Sequence, residues 1–281
     1  MLTRLKLGLS LITLVIIATT TVTMIHSQQK PETASVKKTI NDEVVPVTDF
    51  NKALPSDPKE KDKRQKRSKR RNIKLGPETG VFNPTPFMVS EQRGSGYGKF
   101  RTHAPIEAAI PAAKSDVVIT GEITNAEAFL SEDKVSIYSE FTVRVNSILK
   151  NSPSEEIRVG QSITISRSGG GVRFPSGKVI KELFEGKPMP RIGSKYVLFL
   201  QYEAESDDYP LITAYELKDG TILPLDGLDR NEKVIKELAS HQSYKGMSEI
   251  DFLNLVQLAI SSSQDMFEKK EGNEVLSPRL L

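Results

Sequence analysis

The sequence predicts a mainly β body, a barrel or small sandwich from about Ala108 to Leu225, preceded by a membrane segment and a linker and followed by two helices. Three observations predict this. From Ala108 onward apolar and polar residues alternate, the two-residue period of a half-buried strand. After Asn231 the apolar spacing changes to three and four residues, the period of a helix. Upstream of Pro105, apart from one N-terminal apolar run, neither period is sustained. The expected organisation is a membrane anchor or signal segment at 1–26, a disordered basic linker at 27–105, a β-barrel-like domain at 106–228 and a helical extension packed on it at 229–281.

At the N-terminus, Arg4 and Lys6 precede an uncharged run from Leu7 to Ile25. Its length approaches the roughly 20 residues with which a helix crosses a bilayer core. A cleaved signal peptide has an apolar region of about 7–15 residues and then a small-x-small site. Ile25-His26-Ser27 is a poor one, so the expectation is an uncleaved single-pass anchor in the cell membrane, with secretion after cleavage as the alternative. Basic residues before the run favour a cytoplasmic N-terminus and a body outside the cytoplasm.

Residues 27–105 are rich in Lys, Glu, Pro, Ser, Asp and Gly, a composition that offers too little apolar surface to offset ordering entropy. In their middle, Lys59 to Arg71 hold nine basic and two acidic residues, a net +7 in a chain whose formal charge is +3. The folded body is therefore not basic, and the pI says nothing about its partners. The run reads as a solvated spacer or as a polyanion-binding segment through Lys63, Arg64, Lys66, Arg67, Lys69, Arg70 and Arg71, with acidic lipid, wall polymers or extracellular nucleic acid as ligands. It has no aromatic residues for stacking bases, which argues against a dedicated nucleic-acid module.

In the body, Val117 to Thr120, followed by Gly121 and Ile123, reads as a buried strand ending at a bulge or bend. Val135, Ile137, Ser139, Phe141, Val143 and Val145 fall on one face of a second strand, and Ser162–Ser166 forms a third. Lys195–Gln201 is nearly continuously apolar in its centre, which suggests burial on both sides. Leu211–Leu217 and Thr221–Leu225 flank Asp219-Gly220, a dipeptide that tolerates the positive φ of a tight hairpin. In the tail, Val234, Ile235 and Leu238 share a helical face. Ser248 and Asp251 approximate a capping box before a stripe of Ile250, Leu253, Val256 and Ile260, widened by Phe252, Leu255 and Ala259.

The segments Ser115–Glu122, Phe141–Lys150, Gly160–Ile165 and Gly193–Leu200 together resemble exported bacterial proteins of unassigned function. Their core is similar to a five-stranded OB-like barrel of the netrin and metalloproteinase-inhibitor type. The resemblance implies a fold and carries over no functional residue. Inhibitors of that type approach a protease's metal with an N-terminal cysteine, and this chain has no cysteine at all.

The lack of cysteine also excludes disulfides, thiolate metal sites and cysteine nucleophiles. Three histidines, His26, His103 and His241, have no neighbouring triad pattern. Ser168-Gly169-Gly170-Gly171 near Gly177-Lys178 has the wrong spacing for a phosphate loop and reads as a strand connection, on which exposed Arg167, Arg173, Phe174 and Lys178 would suit a carboxylate or phosphate-bearing partner. Glu203, Glu205, Asp207 and Asp208 read as a solvated acidic turn whose spacing matches no ordered calcium loop. Ser35-x-x-Lys38 and Ser131-x-x-Lys134 lack a positioned base. No cofactor is implied. The expected function is a membrane-anchored extracytoplasmic binding or scaffold domain, with an envelope protein or a polyanion as partner; a hydrolase using carboxylates that converge only in the fold is a further alternative.

Overall fold

The longest alternating segments pair with each other. In the computed structural model, which describes residues 45–72, 100–101, 108–152, 156–228 and 233–274, β3 (Val117–Leu130) and β4 (Ile137–Lys150) form a hairpin of fourteen residues per strand. The apolar run Leu7–Ile25, the rest of 27–44, His26 and His103 lie outside the described residues. β1 (Val47–Asp49) and β2 (Phe100–Arg101) precede the hairpin; β5 (Ser162–Ser168), β6 (Gly170–Arg173), β7 (Val179–Phe184), β8 (Lys195–Leu200), β9 (Tyr209–Lys218) and β10 (Thr221–Pro224) follow it.

Five strands close on themselves. β3 pairs with β4 and β8, β4 with β5, β5 with β9, and β9 with β8. Only the β5–β9 contact is parallel, and it spans two residue pairs, Ile165 with Tyr209 and Ser166 with Pro210. Ile119, Ile123, Phe141, Val143, Ile165, Leu198 and Leu200 fill one cluster. The run in β8 is buried on both sides, as its composition predicts: Tyr196, Leu198 and Leu200 join that cluster, while Val197 and Phe199 join Tyr215, Ile222, Phe252, Val256 and Ile260 in a second. Asp219 and Gly220 turn the β9–β10 hairpin with φ of 51° and 73°.

β3 does not end at Gly121. It continues to Leu130 with its register shifted between Thr120 and Gly121, where a Cβ would lie 2.4 Å from Val143 Cγ1. The glycine-rich segment expected to be a loop is instead a hairpin, β6–β7, in a second sheet ordered β1-β6-β7-β2. The glycines serve close approach: a Cβ on Gly170, at φ 139°, would lie 2.5 Å from Ser139 Oγ and 2.9 Å from Ala128 Cβ.

The first tail helix is shorter than its period suggests, a 3-10 turn at Lys236–Leu238 followed by Ala239–Gln242. The last helix, Glu249–Glu274, is capped as expected: Ser248 Oγ accepts from Asp251 N at 3.1 Å and donates to the Asp251 carboxylate at 2.7 Å. Its buried line is Phe252, Val256 and Ile260, whereas Ile250 is 73% exposed.

Residues 45–72 depart most from the expected linker. β1 adds to β6 in parallel, Phe50 stacks on Phe174 at 5.2 Å, and Pro58–Arg70 forms a helix, α1. Of the charge read as a solvated spacer, Lys63, Arg64, Arg67 and Arg70 meet acidic groups outside the helix. Among the described residues no helix is long and apolar enough to cross a membrane.

Candidate binding site beneath the basic helix

α1 has local reasons to be helical. Asp57 caps it by accepting from Lys59 N at 3.1 Å, Pro58 occupies the first turn, Glu60 sits near the N-terminus, and Arg67, Lys69 and Arg70 sit near the C-terminus, each favourable to the helix dipole. No residue after Pro58 is apolar, so hydrophobic burial does not hold it down. Ion pairs and hydrogen bonds do.

The helix segregates its cations. All four arginines of the run, Arg64, Arg67, Arg70 and Arg71, face the barrel and are half-buried or buried, while Lys59, Lys61, Lys66 and Lys69 face outward. The planar guanidinium is less strongly hydrated than an ammonium and forks its donors, so it is the cation better suited to burial. Arg67 is 2% exposed; its Nε donates to Glu140 Oε1 at 2.9 Å and its Nη1 to Ser206 O at 3.0 Å. Arg70 Nη2 donates to Asp208 Oδ2 at 2.7 Å and Nη1 to Ser206 Oγ at 3.0 Å. Arg71 donates to Ser166 Oγ at 2.8 Å and Ser168 Oγ at 3.0 Å. Among the described residues Arg71 has no carboxylate in an ion pair with it; burial and the neighbouring Arg70 charge push it down to about 10, and it stays charged at neutral pH. Arg64 lies 4.2 Å over the Phe129 ring and 3.6 Å from Glu140.

The acceptors come from three places. Glu140 stands on β4, on the face opposite Phe141, and is buried because α1 covers it. Ser166 and Ser168 stand on β5. The turn from Glu203 to Asp208, read from sequence as solvated, is closed by a bridge between its end residues, and Asp208 within it is fully buried. Asp208 also accepts from Ser166 Oγ at 2.5 Å and Ser206 Oγ at 2.6 Å. Lys63 pairs with Asp207 at 2.5 Å and with Glu60 at 3.2 Å. At the C-terminal end, Asn72 meets Glu132 and the Asp133 amide at 3.0 Å each, and Ser68 Oγ donates to Leu130 O. An open polar cleft beside the helix is lined by Glu60, Arg64, Arg67, Glu127 and Glu140.

Of the seven cations expected to bind polyanions, Lys63, Arg64, Arg67, Arg70 and Arg71 are thus turned to the barrel, and Lys66 and Lys69 face solvent, Lys66 beside Asp62 at 2.8 Å. The four residues expected on one exposed loop do not share a surface. Arg167, on β5, is buried against Asp226, and Phe174, in the turn of the packed β6–β7 hairpin, is buried against Phe50; Arg173 is exposed and pairs with Asp49 at 2.9 Å, and Lys178 is half-buried. The acidic acceptors were missed as a site because they lie 73 and 138 residues from Arg67 and Arg70. A local signal was nonetheless present in the Asp57-Pro58 cap and in arginines at 64, 67 and 71, one helical face.

No model of a known protein family matches the chain, and no curated protein is significantly similar to it. What the site can do chemically therefore rests on its own groups, which are built to hold guanidinium side chains.

Proposed function

We propose that the protein is a membrane-anchored extracytoplasmic binding or scaffold domain built on an OB-like barrel. The observation that carries this reading is the acidic face of β4, β5 and the 203–208 turn, which already holds a ligand-like basic segment through paired, buried charges. The OB-like assignment is supported by the closed order β3-β4-β5-β9-β8 with its single parallel contact between β5 and β9. The anchored placement is supported by Arg4 and Lys6 ahead of the uncharged run Leu7–Ile25. The test is to express the chain with a C-terminal tag, separate membranes, and add protease outside intact cells. A membrane-bound tag trimmed from outside supports the reading; a tag in the soluble cytoplasmic fraction overturns it.

A second reading, contact with a polyanion such as anionic lipid, is favoured by one observation, the outward row of Lys59, Lys61, Lys66 and Lys69. Such a contact would weaken as salt rises. Replacing these four lysines by glutamine should abolish salt-sensitive retention on anionic vesicles and leave the inward arginines paired.

A further inference from the structure

We propose that the face formed by β4, β5 and the 203–208 turn is a receptor for arginine-rich helical segments, and that α1 occupies it as a displaceable internal ligand. This deepens the binding-domain reading and rests on it.

Three observations support it. First, the sockets are organised by the barrel's own groups. Asp208 is oriented by Ser166 and Ser206, and the aromatic surfaces beneath Arg64 and Arg71 are Phe129 and Tyr138 of the β3–β4 hairpin. Undocking α1 leaves the two serines on Asp208 in place. Second, after Pro58 α1 contributes no aliphatic or aromatic residue, so it is held by ion pairs, hydrogen bonds and two guanidinium–ring contacts and buries no apolar side chain in the barrel core. Third, the chain leading into the helix is exposed over residues 51–54.

The spacing defines the ligand. Arg64, Arg67 and Arg71 recur at three and four residues, so an incoming segment needs a helix with guanidinium groups at that spacing and one more beside the last. A lysine helix fits poorly, since Arg67 and Arg70 each fork between two acceptors. The segment that meets this description is α1 of a second copy. Because the resident helix is tethered, it competes at an effective concentration in the millimolar range.

The experiment titrates a labelled peptide of residues 57–72 into the full chain and into the Arg67→Gln/Arg70→Gln/Arg71→Gln chain, reading anisotropy. The triple variant should bind at least tenfold tighter than the unmodified chain, lose that binding when Asp208→Asn and Glu140→Gln are added, and bind a peptide with lysine in place of arginine at least tenfold more weakly. Equal binding to both chains, or equal binding of the lysine peptide, overturns the proposal. Should the triple variant lose barrel amide protection, the unmodified chain decides: millimolar unlabelled peptide must accelerate amide exchange within 59–71 of the isotope-labelled chain, and unchanged exchange overturns the proposal. Light scattering then tests the source: a dimer that grows with protein concentration is expected, and a chain that stays monomeric at millimolar concentration overturns the second-copy assignment. Failure of the topology test with success here would relocate the receptor without removing it.

Discussion

Arg67 and Glu140 are 2% and 7% exposed and hold each other at 2.9 Å. Removing one member of such a pair leaves a buried charge uncompensated, at a cost of about 3–5 kcal/mol. Arg67, however, rides on a helix that can undock. Glu140→Gln is therefore expected to lower amide protection across 59–71 while the melting temperature of the barrel moves little; a large fall in melting temperature with α1 still protected would contradict this. Two further side chains set a pH window. For Glu127, burial opposes ionisation, but the hydrogen bond and charge of Lys52, with Asn125 and Arg64, outweigh it and hold the carboxyl below its ordinary range. Its stabilisation is complete above the unfolded carboxylate value of about 4.3 and is lost as pH falls through the lower folded value. Lys63 is raised, chiefly by its hydrogen bond to Asp207, so its contribution is complete below the unfolded lysine value of about 10.4 and is lost as pH rises through the higher folded one. The helical amide shifts of α1 are expected to hold between these limits and to decay at both ends in an NMR pH titration.

At the scale of elements, close packing makes specific substitutions costly. Gly170→Ala adds a methyl 2.5 Å from Ser139 Oγ at a backbone φ of 139°, so overpacking of about 1–3 kcal/mol is expected, read as a lower denaturation midpoint. Gly160→Ala, also at positive φ but with nothing within 4 Å, should cost only the backbone strain of about 1–2 kcal/mol. Phe252→Ala removes a fully buried ring 4.5 Å from Tyr215 and is expected to destabilise by about 3–5 kcal/mol in chemical denaturation, since it empties the contact between the last helix and β8–β10. The elements legible in sequence are those whose cause is local: the alternation of β4, the two-sided burial of β8, the Asp219-Gly220 turn and the Ser248 cap. Docking of α1 was not legible, because its cause is a set of carboxylates far along the chain. The same cover explains β4, whose alternation predicts one buried face while Tyr138 and Glu140 on the other are buried too.

On the scale of the whole molecule, α1 lies across the weakest closure of the barrel. Arg70 reaches Ser166 on β5 at 3.3 Å and Asp208 just before β9 at 2.7 Å, bridging the two strands that share only two residue pairs. Raising salt from 0.1 to 1 M shortens the screening length from about 10 to 3 Å. Buried pairs are screened less than exposed ones, so the Lys63–Asp207 and Lys52–Glu127 pairs weaken first; trypsin cleavage within 59–71 should then rise with cleavage in β3–β9 unchanged, and equal acceleration in both would mean that helix and barrel open as one unit. Order of synthesis gives the same bridge a kinetic meaning. Arg70 leaves the ribosome 138 residues ahead of Asp208, on the order of ten seconds at ordinary translation rates. Through that interval Arg70 lacks its Asp208 acceptor, and any chaperone or anionic surface that meets it first must be exchanged for Asp208 before the barrel seam is latched.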